Sequence, residues 1–126
     1  VEIAPLPQHD RQVVLGYGKG GFIVSDRDWR GPILVLPTRT MAWGVADAAS
    51  LAVADFDPVV AATDPPIELL LIGTGPRLAL LPSALRNALR QSGLALDVMD
   101  TGAACRTYNI LIGEERRVAA ALIPIG

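Results

Sequence analysis

Between Pro66 and Pro124 the chain alternates three short apolar runs with two segments of helix length, and this order constrains the fold more than any other feature. The runs are Ile67 to Ile72, Leu94 to Met99 and Arg117 to Ile123. A strand that is apolar on both alternating faces must be covered on both sides, and parallel strands must be joined by a crossover long enough for a helix. Ile67 to Met99 therefore reads as a βαβ unit with a right-handed crossover. Its helix opens at Pro82, carries Leu85, Ala88 and Leu89 as an apolar stripe with Arg86 and Arg90 facing out, and stops at Gly93. The next helix, capped by Asp100 or Thr101, runs to about Ile112, before Gly113. The last strand is apolar on both faces and belongs inside the sheet.

Upstream, Arg11 to Tyr17 alternates as a strand, Gly18-Lys19-Gly20-Gly21 supplies a hairpin turn, and Phe22 to Val24 is its antiparallel partner. Ser25 to Arg30 reads as a polar loop, Ile33 to Leu36 as a strand ended by Pro37, and Thr38 to Ala54 as a long loop with helical turns. Asp55 is placed to cap a short helix through Ala62, with Pro58 in its first turn. Pro5 to Asp10 is an irregular lead-in. The expectation is one α/β domain over residues 1–126: a lead-in over 1–10, a β-hairpin over 11–25, and a core over 31–124. That core has three layers, with a central mixed sheet, helices packed on it, and the hairpin as an extra β layer.

At 126 residues the chain fits one core. Net charge is −2, with no basic excess for phosphate contacts, so nucleic acid is not an expected partner. One cysteine, Cys105, and one histidine, His9, exclude an internal disulfide and a zinc site, and no metal or cofactor is expected. No apolar stretch approaches the ~20 residues needed to span a bilayer, and no secretory signal is visible. The expectation is a cytoplasmic protein with no direct membrane insertion. A mean hydropathy of +0.38 also admits a homodimer through exposed apolar patches.

The loop Gly73-Thr74-Gly75 follows a buried strand, where its N–H groups could cradle an anion or simply form a tight turn. With Leu78 in place of a third glycine it is no dinucleotide fingerprint, and it lacks the Gly-Lys-Ser/Thr ending of a P-loop. In the second helix Gly102, Arg106, Asn109 and Gly113 share one face, polar where a buried helix would be apolar. That face is either a binding surface or a set of structural contacts: Arg106 paired with a carboxylate such as Asp100, Asn109 satisfying a backbone, and Tyr108 a core ring with a bonded hydroxyl. Cys105 reads as a small buried residue, since no base lies near it in sequence. Asp97 and Asp100, three apart on an extended segment, diverge too far for paired acid/base work. Trp43 is either a surface anchor for a partner or an indole packed on the sheet.

Glu68-Leu-Leu-Leu-Ile-Gly-Thr-Gly75, Met99-Asp-Thr-Gly-Ala-Ala-Cys-Arg-Thr-Tyr-Asn109 and Glu115-Arg-Arg-Val-Ala-Ala-Ala-Leu-Ile-Pro124, with Gly31-Pro-Ile-Leu-Val-Leu-Pro37 and Trp43 before them, resemble one family. It is a bacterial and archaeal family of unknown function whose eukaryotic member is a mitochondrial complex I (NADH:ubiquinone oxidoreductase) assembly factor. The resemblance covers Gly31 to Pro124 and is carried mainly by Ala-Ala-Cys-Arg-Thr-Tyr-Asn. It implies a three-layer α/β fold, no established reaction, and a role played through protein contacts with a respiratory membrane complex. Residues matching the family signature are Gly73, Thr74, Gly75, Arg106, Thr107, Tyr108 and Asn109. Gly102 stands where alanine is usual, and the absence of a mitochondrial presequence points to a bacterial protein. The resulting expectation is a non-enzymatic assembly factor. The alternative is a module that binds a small anion or nucleotide through the Gly73–Gly75 loop and Arg106.

Overall fold

The computed structural model describes residues 11–63 and 65–126. The lead-in expected over Pro5 to Asp10 lies outside the described residues. Among the described residues, eight strands form two sheets. β1 (Val14–Gly18), β2 (Gly21–Val24) and β3 (Arg27–Arg30) make an antiparallel meander. β4 (Ile33–Val35), β5 (Thr40–Ala42), β6 (Leu69–Gly73), β7 (Ala95–Met99) and β8 (Val118–Leu122) make a five-stranded mixed sheet in the order β5-β4-β8-β6-β7.

Parallel β6 and β7 flank α2 (Ser83–Gln91), which starts after Pro82 and is followed by Gly93 at φ +92°. β8 is parallel to β6 and antiparallel to β4, so it occupies the centre, and all five of its residues are buried. Its Ala119-Ala120-Ala121 run keeps both faces of the central strand shallow, which lets packing layers approach closely on either side.

Alternation along the strands divides the core in two. Leu34, Leu70, Ile72, Ala119 and Ala121 meet Leu85 and Leu89 of α2 together with Phe56 and Val59. Ile33, Val35, Leu71, Ala120 and Leu122 meet Ala104, Cys105, Tyr108 and Ile112 of α3 (Thr101–Gly113) and Val14, Phe22 and Val24 of the small sheet. The three layers are thus α2 with the short helical turns, the mixed sheet, and α3 alongside the meander.

The structure departs from the sequence expectations in three places. Ser25 to Arg30 is not a loop: Ser25 takes φ +54°, turns the chain, and β3 pairs with β2 despite three charged residues in four. Thr38 to Ala54 contains β5 as well as a 3-10 turn at Ala48–Ser50, and a second turn over Val53–Phe56 begins within it. Asp55 does not cap the short α1 (Asp57–Val60). Its carboxylate accepts from the Ala52 N–H at 2.8 Å, one turn earlier, and α1 instead has Pro58 in its first turn.

Candidate functional site

Asp100 follows β7 and caps α3, its carboxylate accepting from the Ala103 N–H at 2.9 Å. From that start the spacing of 102, 106 and 109 turns one polar stripe away from the sheet. The stripe meets the chain between Arg11 and Tyr17, which runs antiparallel to the helix and is tied to it at four levels. The Arg11 guanidinium donates weakly to Ile112 O at 3.5 Å and lies 3.4 Å from the Glu115 carboxylate. The Tyr108 hydroxyl donates to Gln12 O at 2.8 Å. Asn109 accepts from the Val14 N–H at 2.9 Å and donates to Val14 O at 2.7 Å. Arg106 donates to the Tyr17 hydroxyl at 2.9 Å.

Each tie has a physical cause. The outer edge of β1 needs partners for its backbone groups, and a carboxamide presents one donor and one acceptor at the spacing of a peptide. Asn109 thereby stands in for a neighbouring strand. The Tyr108 ring is fully buried, and its hydroxyl avoids a desolvation cost by reaching the Gln12 carbonyl. At Gly102 a Cβ would lie 2.9 Å from the Tyr17 hydroxyl, so the missing side chain is what admits the tyrosine beside Arg106. The polar character of the stripe comes from recruiting β1, and Arg106 pairs with Tyr17 rather than with Asp100.

The Gly73–Gly75 loop is a packing device. A Cβ on Gly73 would lie 2.9 Å from Thr101 Oγ1 and 3.0 Å from its Cα. The Thr74 N–H donates to Met99 O at 3.0 Å and the Gly75 N–H to Thr101 Oγ1 at 2.8 Å, while Thr101 Oγ1 donates to Ile123 O. Gly75 sits at φ +109°, and the Thr74 hydroxyl accepts from the Ala79 N–H and donates to Arg77 O. Both loop N–H groups that an anion would need are engaged within the chain.

Trp43 is not a surface anchor. It is 5% exposed, its indole N–H donates to Asp55 O at 2.7 Å, and its ring meets Phe56 edge-on at 5.3 Å. Covering the sheet outweighs leaving so large a ring in water. Thr107 is half-buried, one position beyond Arg106. Burial pushes the Cys105 thiol up to about 12, against a smaller lowering by Arg106, and raises the Tyr108 phenol above its ordinary value. Neither group is a nucleophile at neutral pH.

The seam between β1 and α3 is open to solvent. Arg106 is exposed and makes no ion pair among the described residues. Its partner Tyr17 is 39% exposed, Ile110 at 62% lies one turn along α3, and Leu15 at 67% lies two residues before Tyr17 on β1. Leu15 is the extra residue of a bulge, since the β1–β2 register shifts between Val14 and Gly16. Arg106 is found from the sequence while Tyr17 and Leu15 are missed, because no local spacing ties a strand to a helix 89 residues later; Ile110, four residues after Arg106, could have been found from helical spacing.

Among the described residues no helix is long and apolar enough to cross a membrane. The chain is 36% identical over 112 residues to a zebrafish (Danio rerio) protein named NADH dehydrogenase [ubiquinone] 1 alpha subcomplex assembly factor 3, covering 89% of this chain and 64% of that one. It therefore spans less than two thirds of that relative. It is 37% identical over 111 residues to an uncharacterized protein of Rhodobacter capsulatus, covering 87% of this chain and 82% of that one. Among solved structures it is similar to the crystal structure of an outer membrane protein from Bartonella henselae, with a TM-score of 0.84 at 37% identity, covering 94% of this chain and 98% of the other. The match over residues 14–123 places the chain in the family described as protein of unknown function (DUF498/DUF598), to which it belongs.

Proposed function

We propose that this chain is a non-enzymatic assembly or interaction factor for a membrane-bound respiratory complex of the NADH dehydrogenase type, and that it engages a protein partner through the seam around Arg106. The relative named as an assembly factor supports the class of function. The observation that carries the site is Arg106 itself: an exposed guanidinium held in place by the Tyr17 hydroxyl, with no ion pair among the described residues, exposed Ile110 one turn along the same helix, and exposed Leu15 two residues before Tyr17. Arginine and tyrosine beside apolar groups form the surface type on which binding energy concentrates.

In this reading Thr107 borders the contact, while Tyr108, Asn109 and the Gly73-Thr74-Gly75 turn hold its frame rather than touch the partner. The alternative, a small anion or nucleotide held by the loop and Arg106, is supported by Arg106 alone, since the loop N–H groups are engaged. The cytoplasm is the compartment proposed.

The test is quantitative co-purification from detergent-solubilised membranes with tagged wild type, Arg106→Glu and Ile110→Glu. NADH dehydrogenase subunits should accompany the wild type, with roughly tenfold or greater loss for Arg106→Glu if it is a hot spot. Equal recovery with all three proteins would refute the assigned surface. Recovery of no such subunit with the wild type would refute the function.

A further inference from the structure

Among the described residues the two sheets leave four outer edges, and three are guarded. On the meander, β3 carries Arg27, Asp28 and Arg30, charges that resist pairing with another strand. The other meander edge, β1, is covered by α3, with Asn109 taking both backbone groups of Val14. On the mixed sheet, β5 is only three residues long. The fourth edge, β7, is the least protected: it pairs with β6 through all five residues without a bulge, contains no lysine, arginine or proline, and carries one charge, Asp97.

The pairing fixes which groups face outward. The Ala95 N–H donates to Glu68 O, and Met99 O accepts from the Thr74 N–H. In a parallel ladder alternate residues bond to the same neighbour, so Ala95, Asp97 and Met99 serve β6. The N–H and C=O groups of Leu96 and Val98 then point away from the sheet, and among the described residues nothing pairs with them. The two faces beside this edge differ. Leu96 and Val98 pack partly against the α2 side of the core, while Asp97 stands exposed on the α3 side with no ion pair among the described residues.

We infer that the free edge of β7 is a strand-addition site for an extended segment of a protein partner, with a basic residue opposite Asp97 and apolar residues beside Leu96 and Val98. Four backbone hydrogen bonds supply attachment, and the side chains supply choice. Charge separates this occupant from a second copy: antiparallel self-pairing centred on the edge would set Asp97 against Asp97, and like charges directly opposite are unfavourable. The inference deepens the partner-binding reading, on which it rests, by adding a contact at an edge of the mixed sheet, on a different element from the Arg106 seam.

The test is an NMR titration of the whole chain with two capped peptides, Thr-Thr-Val-Lys-Val-Thr-Thr and the same sequence with Glu at its centre. The Leu96 and Val98 amides should shift with the lysine peptide, which should bind roughly tenfold tighter than the glutamate peptide. Val98→Pro removes an N–H that faces outward and spares the bonds to β6, so it should fold and lose binding. Asp97→Lys should reverse the preference between the peptides and keeps the test decisive should Val98→Pro fail to fold. No shift at β7 at millimolar peptide, or equal binding of both peptides, would overturn the proposal. So would a concentration-dependent dimer that Val98→Pro abolishes, which would assign the edge to a second copy. Failure here leaves the Arg106→Glu co-purification result standing, so the two readings fail separately.

Discussion

Replacing Asn109 by alanine removes the carboxamide that substitutes for a strand along β1. Two bonds are lost, from the Val14 N–H at 2.9 Å and to Val14 O at 2.7 Å, both part-buried. A neutral hydrogen bond contributes about 1 kcal/mol net, and a buried group left without a partner costs about 1–3 kcal/mol. Water reaches part of this seam, so the lower end applies, and the expected loss is about 2 kcal/mol. Urea unfolding followed by Trp fluorescence should show the midpoint falling with the slope unchanged. Asn109→Asp should lose a comparable amount: it retains the acceptor for the Val14 N–H but turns a carboxylate oxygen toward Val14 O. Thr107→Ala, half-buried and outside the ladder of ties to β1, should stay within about 0.5 kcal/mol. An Asn109→Ala loss below about 0.5 kcal/mol would refute the idea that α3 clamps the first strand.

The Gly73 contacts and the buried Cys105 thiol give two further tests. Gly73→Ala sets a methyl against the Thr101 backbone as well as its hydroxyl, and should destabilise by roughly 1–3 kcal/mol or more in the same urea assay; a neutral result would remove the packing role of the turn. Cys105 has a raised folded pKa, so the folded state holds its proton longer than the unfolded state and stability must fall as pH rises from about 9 toward about 12. The slope should approach about 1.4 kcal/mol per pH unit. Tyr108, raised by burial, adds to the loss above its ordinary pKa. Unfolding midpoints taken across that range should decline less in Cys105→Ala than in the wild type, and equal declines would contradict the burial argument.

The parallel unit was legible because its cues are local: continuous apolar runs at Ile67 and Leu94, a proline before the helix and a glycine after it. The same holds for the shared face of Gly102, Arg106 and Asn109, which follows from helical spacing alone. The partner of that face was not legible. Gly102 is small because Tyr17 lies against it, and Asn109 is polar because Val14 needs a neighbour, contacts that span 85 residues or more of chain. β3 escaped because Arg27 to Arg30 has the composition of a loop; pairing to β2 and the Arg27 guanidinium 4.2 Å from the Trp29 ring centre favour the strand instead. Trp43 shows the limit of residue type: an indole serves equally as anchor or core, and only its place beside Phe56 and the Asp55 carbonyl decides between them.

Deletion of the gene in its native host, with assembled NADH:quinone oxidoreductase in the membranes measured by native electrophoresis and NADH-dependent staining, tests the assembly role in the cell. The assembled complex should fall in the deletion strain and be restored by the wild-type chain but not by Arg106→Glu expressed to the same level. Undiminished assembly in the deletion strain would contradict the proposed function, and full restoration by Arg106→Glu would contradict the surface assigned to it.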